Sequence, residues 1–195
     1  YTAFSTFTLV EKNKLIGETM KILLTTLLLT ITLSSTVFSD GFDEASPQSK
    51  HVNIADFFNS DIHVQSNALS ICAASFNMYS KIHKESDPAY STHFNNLGNG
   101  AEMAIYVIWL MHKVSLIENI DVATYRAIAK NSFQKSEYLP IGHFDYLNAL
   151  LSTAPNEEEL TKELTDLQET IKLCVSKPIK DLIQKYINIS REAPR

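Results

Sequence analysis

Apolar residues recur every three or four positions along most of the chain after residue 50, the spacing typical of amphipathic helices. This pattern predicts a short helix over 53–59 and a first long helix over 66–84. The inward positions are Ile54, Phe57 and Phe58 in the short helix and Leu69, Cys72, Phe76 and Tyr79 in the long one. Cys72 therefore belongs to a predicted core stripe.

The second long helix is predicted to begin at Asp87-Pro88, because Asp caps exposed backbone N–H groups and Pro fits the first turn. Its segment 105–111 is apolar nearly all round, which is typical of a helix in the middle of a bundle. Gly98 and Gly100 interrupt it, each at a cost of about 1 kcal/mol relative to Ala. Close helix packing or a kink explains them; the alternative is room for a ligand.

A third helix is predicted over 121–135, ending before Leu139-Pro140, and a shorter one over 143–152 follows Gly142. The side chains expected to face inward are Val122, Tyr125, Ile128, Ala129 and Phe133 in the third helix, and Phe144, Leu147, Leu150 and Leu151 in the shorter one. Proline is the reason for the predicted break, because it cannot donate the backbone hydrogen bond of a helix interior.

The clearest helix begins with three glutamates at 157–159, where negative charge suits the helix dipole. Its core stripe consists of Leu160, Leu164, Leu167, Ile171 and Cys174. A final helix is predicted over about 178–189. Because strand signals are weak throughout, the predicted fold is an all-α bundle of about four main helices plus short ones.

Both cysteines occupy predicted core stripes, Cys72 early in the chain and Cys174 late. An even number of cysteines in an exported protein favours a disulfide, and two inward stripes on neighbouring helices allow one to form. The alternative is two buried thiols that pack as small hydrophobic side chains.

The segment 20–39 has the three parts of a secretory signal peptide in order. Lys21 supplies the basic start, the apolar run 22–33 follows, and Val37 and Ser39 occupy the cleavage positions. About a dozen apolar residues fall short of the roughly 20 that span a bilayer, so cleavage is expected and no stable membrane anchor. The product is expected to be exported to a bacterial periplasm or secreted.

Four parts of the chain follow from this interpretation. Residues 1–19 precede the first Met and are interpreted as upstream translation that is not native to the protein. Residues 20–39 are the signal peptide, residues 40–50 a flexible lead-in, and residues 51–195 a single helical domain.

Cleavage after residue 39 removes three lysines and two glutamates, leaving 14 basic and 20 acidic residues and a formal charge of −6. A uniformly acidic surface excludes nucleic acid and anionic membranes as expected partners.

No catalytic or cofactor motif is present. The six histidines form neither an H-x-x-x-H pair nor a Glu-x-x-His motif, and the sequence lacks C-x-x-C-H, G-x-S-x-G and phosphate-binding glycine patterns. We therefore expect no metal, no cofactor and no enzymatic activity, and the alternative left open is an enzyme or a haem or metal protein whose site is assembled from residues distant in the sequence.

Aromatic residues are plentiful, and five residues form a candidate groove for an apolar ligand or a partner helix. They are Gly98, Gly100, Tyr106, Trp109 and Tyr138. Two functions follow as hypotheses: an exported interaction or stress-related binding module with an unknown protein partner, and a small periplasmic carrier of an apolar ligand. A carrier requires an apolar cavity, whereas an interaction module requires a filled core and exposed apolar residues.

Overall fold

The computed structural model describes residues 52–192, and these contain helices and no strand. A 3-10 helix, Ile54–Phe58, precedes five α-helices. They are α1 (Ile62–His83), α2 (Pro88–Ser115), α3 (Val122–Thr153), α4 (Glu157–Cys174) and α5 (Lys177–Glu192). The predicted all-α class is confirmed. The predicted signal peptide, the segment before it and the lead-in lie outside the described residues.

Local capping explains where three helices begin. Asp61, Asp87 and Asn156 each accept a hydrogen bond from a backbone N–H in the first turn of the helix that follows, at 2.8 to 3.0 Å. Such side chains satisfy donors that the helix itself leaves free. The Asp87-Pro88 start predicted for the second long helix is confirmed.

Helix α1 is the central element, because most of its residues are buried, on more than one face. It packs most extensively against α2 and also contacts α3, α4 and the 3-10 helix, while α5 packs on α2. The core includes Leu69 and Phe76 from α1, Ile105 from α2 and Ile179 from α5. A helix with small and apolar residues on several faces is the one that other helices can surround.

The predicted disulfide is present. Cys72 in α1 and Cys174 at the end of α4 are bonded, with their Cα atoms 5.7 Å apart and both residues fully buried. The bond joins two helices across a sequence separation of 102 residues.

The predicted break at Leu139-Pro140 is wrong. Helix α3 runs without interruption through Pro140, which is buried inside it. Proline in a helix interior costs about 3 kcal/mol, yet Leu139, Phe144 and Leu147 on both sides of it pack against the core. This packing on both sides of Pro140 explains how the helix continues.

Four side chains predicted to face inward are instead exposed. Ile54 and Phe58 of the 3-10 helix are about half exposed, as is Phe133, and Val122 is 66% exposed at the start of α3. The short 3-10 helix buries only Phe57, whose carbonyl oxygen accepts a hydrogen bond from the Gln65 side chain of α1, so this residue is the one held against the core. Val122 lies in the first turn of α3, where the predicted stripe extends past the core.

Candidate binding cleft

The two glycines of the predicted groove face different helices. A Cβ added at Gly98 would lie 3.0 Å from Cγ of Asn77 in α1 and closer still to its Oδ1. A Cβ added at Gly100 would meet Ile183 and Ile187 of α5, at 3.5 Å from each. Gly98 therefore allows close packing of α2 on α1, and Gly100 sits beside α5.

The three aromatic residues of the predicted groove are also separate. The Tyr106 ring packs edge-on against Phe133, with ring centroids 6.3 Å apart. Trp109 is buried, with Lys135 Nζ 3.7 Å from its ring centroid and no hydrogen-bond partner for its Nε1 among the described residues. Tyr138 is 63% exposed. None of the five groove residues lines the cleft or the smaller cavity described below.

A polar cleft of about 570 Å³ opens instead between α1, α2 and α3. Its volume lies within the range of small-molecule sites. We define it by its lining residues: Asn77, Ser80 and Lys81 from α1, Lys84 directly after α1, Ser91, Thr92, Asn95 and Glu102 from α2, and Glu137, Pro140, Ile141 and Phe144 from α3.

The acidic side of the cleft is formed by Glu102, which is half-buried. Asn77 Nδ2 donates a hydrogen bond of 3.1 Å to Glu102 Oε1. Burial raises the pKa of the Glu102 carboxyl, the Asn77 hydrogen bond opposes this rise, and the negative charge of Glu137 adds to it. No cation pairs with Glu102 in the part of the chain that the structure describes.

The basic side is formed by Lys81, also half-buried. Its Nζ donates a hydrogen bond of 3.0 Å to Asn148 Oδ1 and lies 5.3 Å from the centroid of the Phe144 ring. Burial lowers the pKa of the Lys81 ammonium, and the carboxylate of Asp145 opposes this shift. Lys84, the residue directly after α1, is exposed and also lines the cleft.

Opposite charges therefore face the same cleft without pairing with each other. Glu102 is held by one amide side chain and Lys81 by another, and no ion pair joins them among the described residues. The hydroxyls of Ser80 and Ser91, 3.0 Å apart, hydrogen-bond to each other in the same cleft. With Glu137 and Lys84, the lining carries two acidic and two basic groups.

No histidine or cysteine lines the cleft, and its two buried serines are hydrogen-bonded to each other. The lining groups with shifted pKa values are Glu102 and Lys81. Among the described residues, no group of three or more potential ligands is placed to hold a metal ion.

A second cavity, of about 30 Å³, lies between α1, α3 and α4 beside His143. His143 Nε2 is 2.9 Å from Asn67 Oδ1, and burial lowers the pKa of its imidazole. The neutral ring therefore donates its Nε2 proton to the amide oxygen. This volume has room for little more than a water molecule.

Sequence reasoning missed the cleft residues, because Asn77, Lys81 and Glu102 resemble ordinary polar positions beside an apolar stripe. The only local signal is that Asn77 and Lys81 are four residues apart and share a face of α1. Their approach to Glu102 depends on tertiary packing.

None of the described helices is long and apolar enough to cross a bilayer. Comparison of the chain with protein-family models, with curated proteins and with solved structures gives no match.

Proposed function

We propose that this chain is an exported binding protein whose functional site is the cleft between α1, α2 and α3. The observation that carries the proposal is that Glu102 and Lys81 are both half-buried, face one cavity and have no ion-pair partner among the described residues.

Partly buried charges need compensation, because removing a charge from water is costly unless an opposite charge or several hydrogen bonds replace the water. Each of these two groups has one hydrogen bond to an amide side chain. The Asp145 carboxylate compensates part of the Lys81 charge. A ligand with complementary charges would supply the charged partner that Glu102 lacks and a further one for Lys81.

Export is part of the proposal. The predicted signal peptide over 20–39 motivates it, and the Cys72–Cys174 disulfide is consistent with an oxidising compartment, where such bonds persist. Intact mass spectrometry of protein produced in its own host tests it. We expect a chain beginning at Asp40, whereas a chain that retains residues 20–39 would contradict export by cleavage.

Native mass spectrometry with a variant that fills the cleft tests the binding function. Asn95 lines the cleft and is exposed, so Asn95→Trp should fill it without disturbing the core. The matched control is Asn96→Trp, at the exposed neighbouring position outside the lining. We expect a small molecule to accompany the wild type and Asn96→Trp but not Asn95→Trp. Equal ligand in all three, or none in any, would contradict the proposal.

A second candidate is an interaction module for a protein partner. Exposed apolar side chains at Met103, Phe133 and Ile141 support it, at 39%, 52% and 53% exposure. The Phe133→Asp variant should then lose a stoichiometric partner that wild-type protein retains in cross-linked complexes. The apolar-ligand carrier has less support, because nine of the twelve residues that line the 570 Å³ cleft are polar or charged and the cavity beside His143 has only about 30 Å³.

A further inference from the structure

We propose that the cleft binds a small zwitterion, a linear molecule with an ammonium or guanidinium group at one end and a carboxylate at the other. This inference rests on the proposed function and adds the chemical class of the ligand. Its basis is the separate placement of acidic and basic groups in one cavity whose apolar lining residues all come from α3.

The cationic end of the ligand would bind at Glu102. The Asn77 hydrogen bond occupies Oε1 of this carboxylate, so Oε2 is available to a donor in the cleft. Glu137, exposed on α3 and close enough to affect Glu102 electrostatically, would share the same cation. A bound cation between these two carboxylates would remove their mutual repulsion.

The anionic end would bind at Lys81 and Lys84. Asn148 accepts one hydrogen bond from the Lys81 ammonium, which has three donors, so up to two remain for a ligand. Lys84 adds a second positive charge at the exposed edge of the cleft. Thr92, an exposed residue of α2, lines the same cavity.

Helix geometry limits the length of the ligand. Lys81 follows Asn77, the residue hydrogen-bonded to Glu102, by four positions on α1, and Lys84 follows it by seven, just beyond the last residue of the helix. At 1.5 Å per residue, the Cα atom of Lys81 lies about 6 Å from that of Asn77 along the helix axis. This backbone spacing gives the scale, about 6 Å or more, that we expect for the distance between the ligand's two charged groups.

The wall contributed by α3 is apolar in its central part. Pro140, Ile141 and Phe144 line the cleft there, with Ile141 about half exposed. A methylene chain between the two charged groups would pack against these side chains at about 0.8 kcal/mol for each CH₂ buried. A short ω-amino carboxylate combines both ends and such a spacer.

Titration calorimetry on the purified disulfide-bonded protein with three matched probes tests this ligand class. The probes are 6-aminohexanoate, which carries both charges, hexylamine, which carries only the cation, and hexanoate, which carries only the anion. We expect 6-aminohexanoate to bind at least ten-fold more tightly than either single-charge probe.

Two variants test which residue binds each charged end of the ligand. Glu102→Gln should weaken 6-aminohexanoate at least ten-fold while leaving hexanoate unchanged, and Lys81→Met should weaken it similarly while leaving hexylamine unchanged. The controls are Glu118→Gln and Lys180→Met, at exposed positions outside the cleft. Circular dichroism of each variant confirms that it is folded.

The outcomes separate this proposal from the proposed function. Equal affinity for hexylamine and 6-aminohexanoate, or no binding of any probe, would overturn the proposal that the ligand is a zwitterion. The cleft would still be supported as the binding site if a co-purifying ligand were lost only from Asn95→Trp. Loss of 6-aminohexanoate binding in the Glu118→Gln or Lys180→Met control would place the site of this probe elsewhere and overturn the zwitterion proposal.

Discussion

Two alanine substitutions in α2, only two residues apart, should change stability in opposite directions. Replacing a helix-interior glycine with alanine ordinarily stabilises by about 1 kcal/mol through lower backbone entropy in the unfolded chain. At Gly100 the new Cβ would make ordinary contacts of 3.5 Å with Ile183 and Ile187 of α5. We expect Gly100→Ala to raise the free energy of unfolding by about 1 kcal/mol.

At Gly98 the same entropic gain in stability is smaller than the cost of the contacts that the new Cβ would make. The added Cβ would displace the Asn77 side chain, whose Cγ would be 3.0 Å away, and would break its hydrogen bond to Glu102. Overpacking costs about 1 to 3 kcal/mol, and a hydrogen bond to a charged group contributes about 1.5 to 3 kcal/mol. We therefore expect Gly98→Ala to lower the free energy of unfolding by about 2 to 4 kcal/mol.

Equilibrium urea denaturation followed by circular dichroism measures both effects. Asn77→Ala provides the internal control, because in its background there is no amide for the Gly98→Ala methyl to displace. The double variant should therefore lose less stability than the sum of the two single variants. If Gly98→Ala stabilises the protein as much as Gly100→Ala does, the described approach of Asn77 to α2 is wrong.

Three other changes have expected outcomes. Because the pKa of Glu102 is raised, the native state holds a proton at pH values where the unfolded chain has lost it, so stability falls as pH rises above the usual carboxyl range. In thermal melts Glu102→Gln should thus gain stability over wild type at pH 7 but not at pH 3; an equal gain at both would refute this cause. The lowered pKa of His143 has the opposite consequence, a loss of stability as pH falls below about 6.5. His143→Gln should flatten that dependence between pH 5 and 7, and an unchanged slope would exclude His143 as its source. Replacing Cys72 and Cys174 together with Ala should lower the free energy of unfolding by roughly 4.7 kcal/mol in the chain-entropy account; a loss below 1 kcal/mol in urea denaturation would contradict that account.

Features set by neighbouring residues could be predicted from the sequence. Asp87 and Asn156 cap helices with hydrogen bonds across three residues, so the starts of α2 and α4 are visible locally. The stripe ending at Cys174 also requires only the helical period, and together with the predicted stripe through Cys72 it made the disulfide foreseeable.

Features set by tertiary packing could not be predicted. Pro140 favours a break locally, but contacts of its neighbours with the core keep α3 continuous. The cleft depends on how α1, α2 and α3 meet, since Asn77 and Glu102 are 25 residues apart. No local pattern distinguishes Glu102 from a solvent-exposed glutamate. The groove predicted from the sequence therefore consisted of aromatic residues and glycines and did not include Glu102.

The central claim is that this protein binds its ligand in the polar cleft. A crystal structure of the disulfide-bonded protein with 6-aminohexanoate tests it most directly. The account predicts the ligand in the cleft, with its ammonium within hydrogen-bond distance of Glu102 and its carboxylate within hydrogen-bond distance of Lys81. A ligand bound against Phe133 or Trp109, with only solvent between Glu102 and Lys81, would contradict the account.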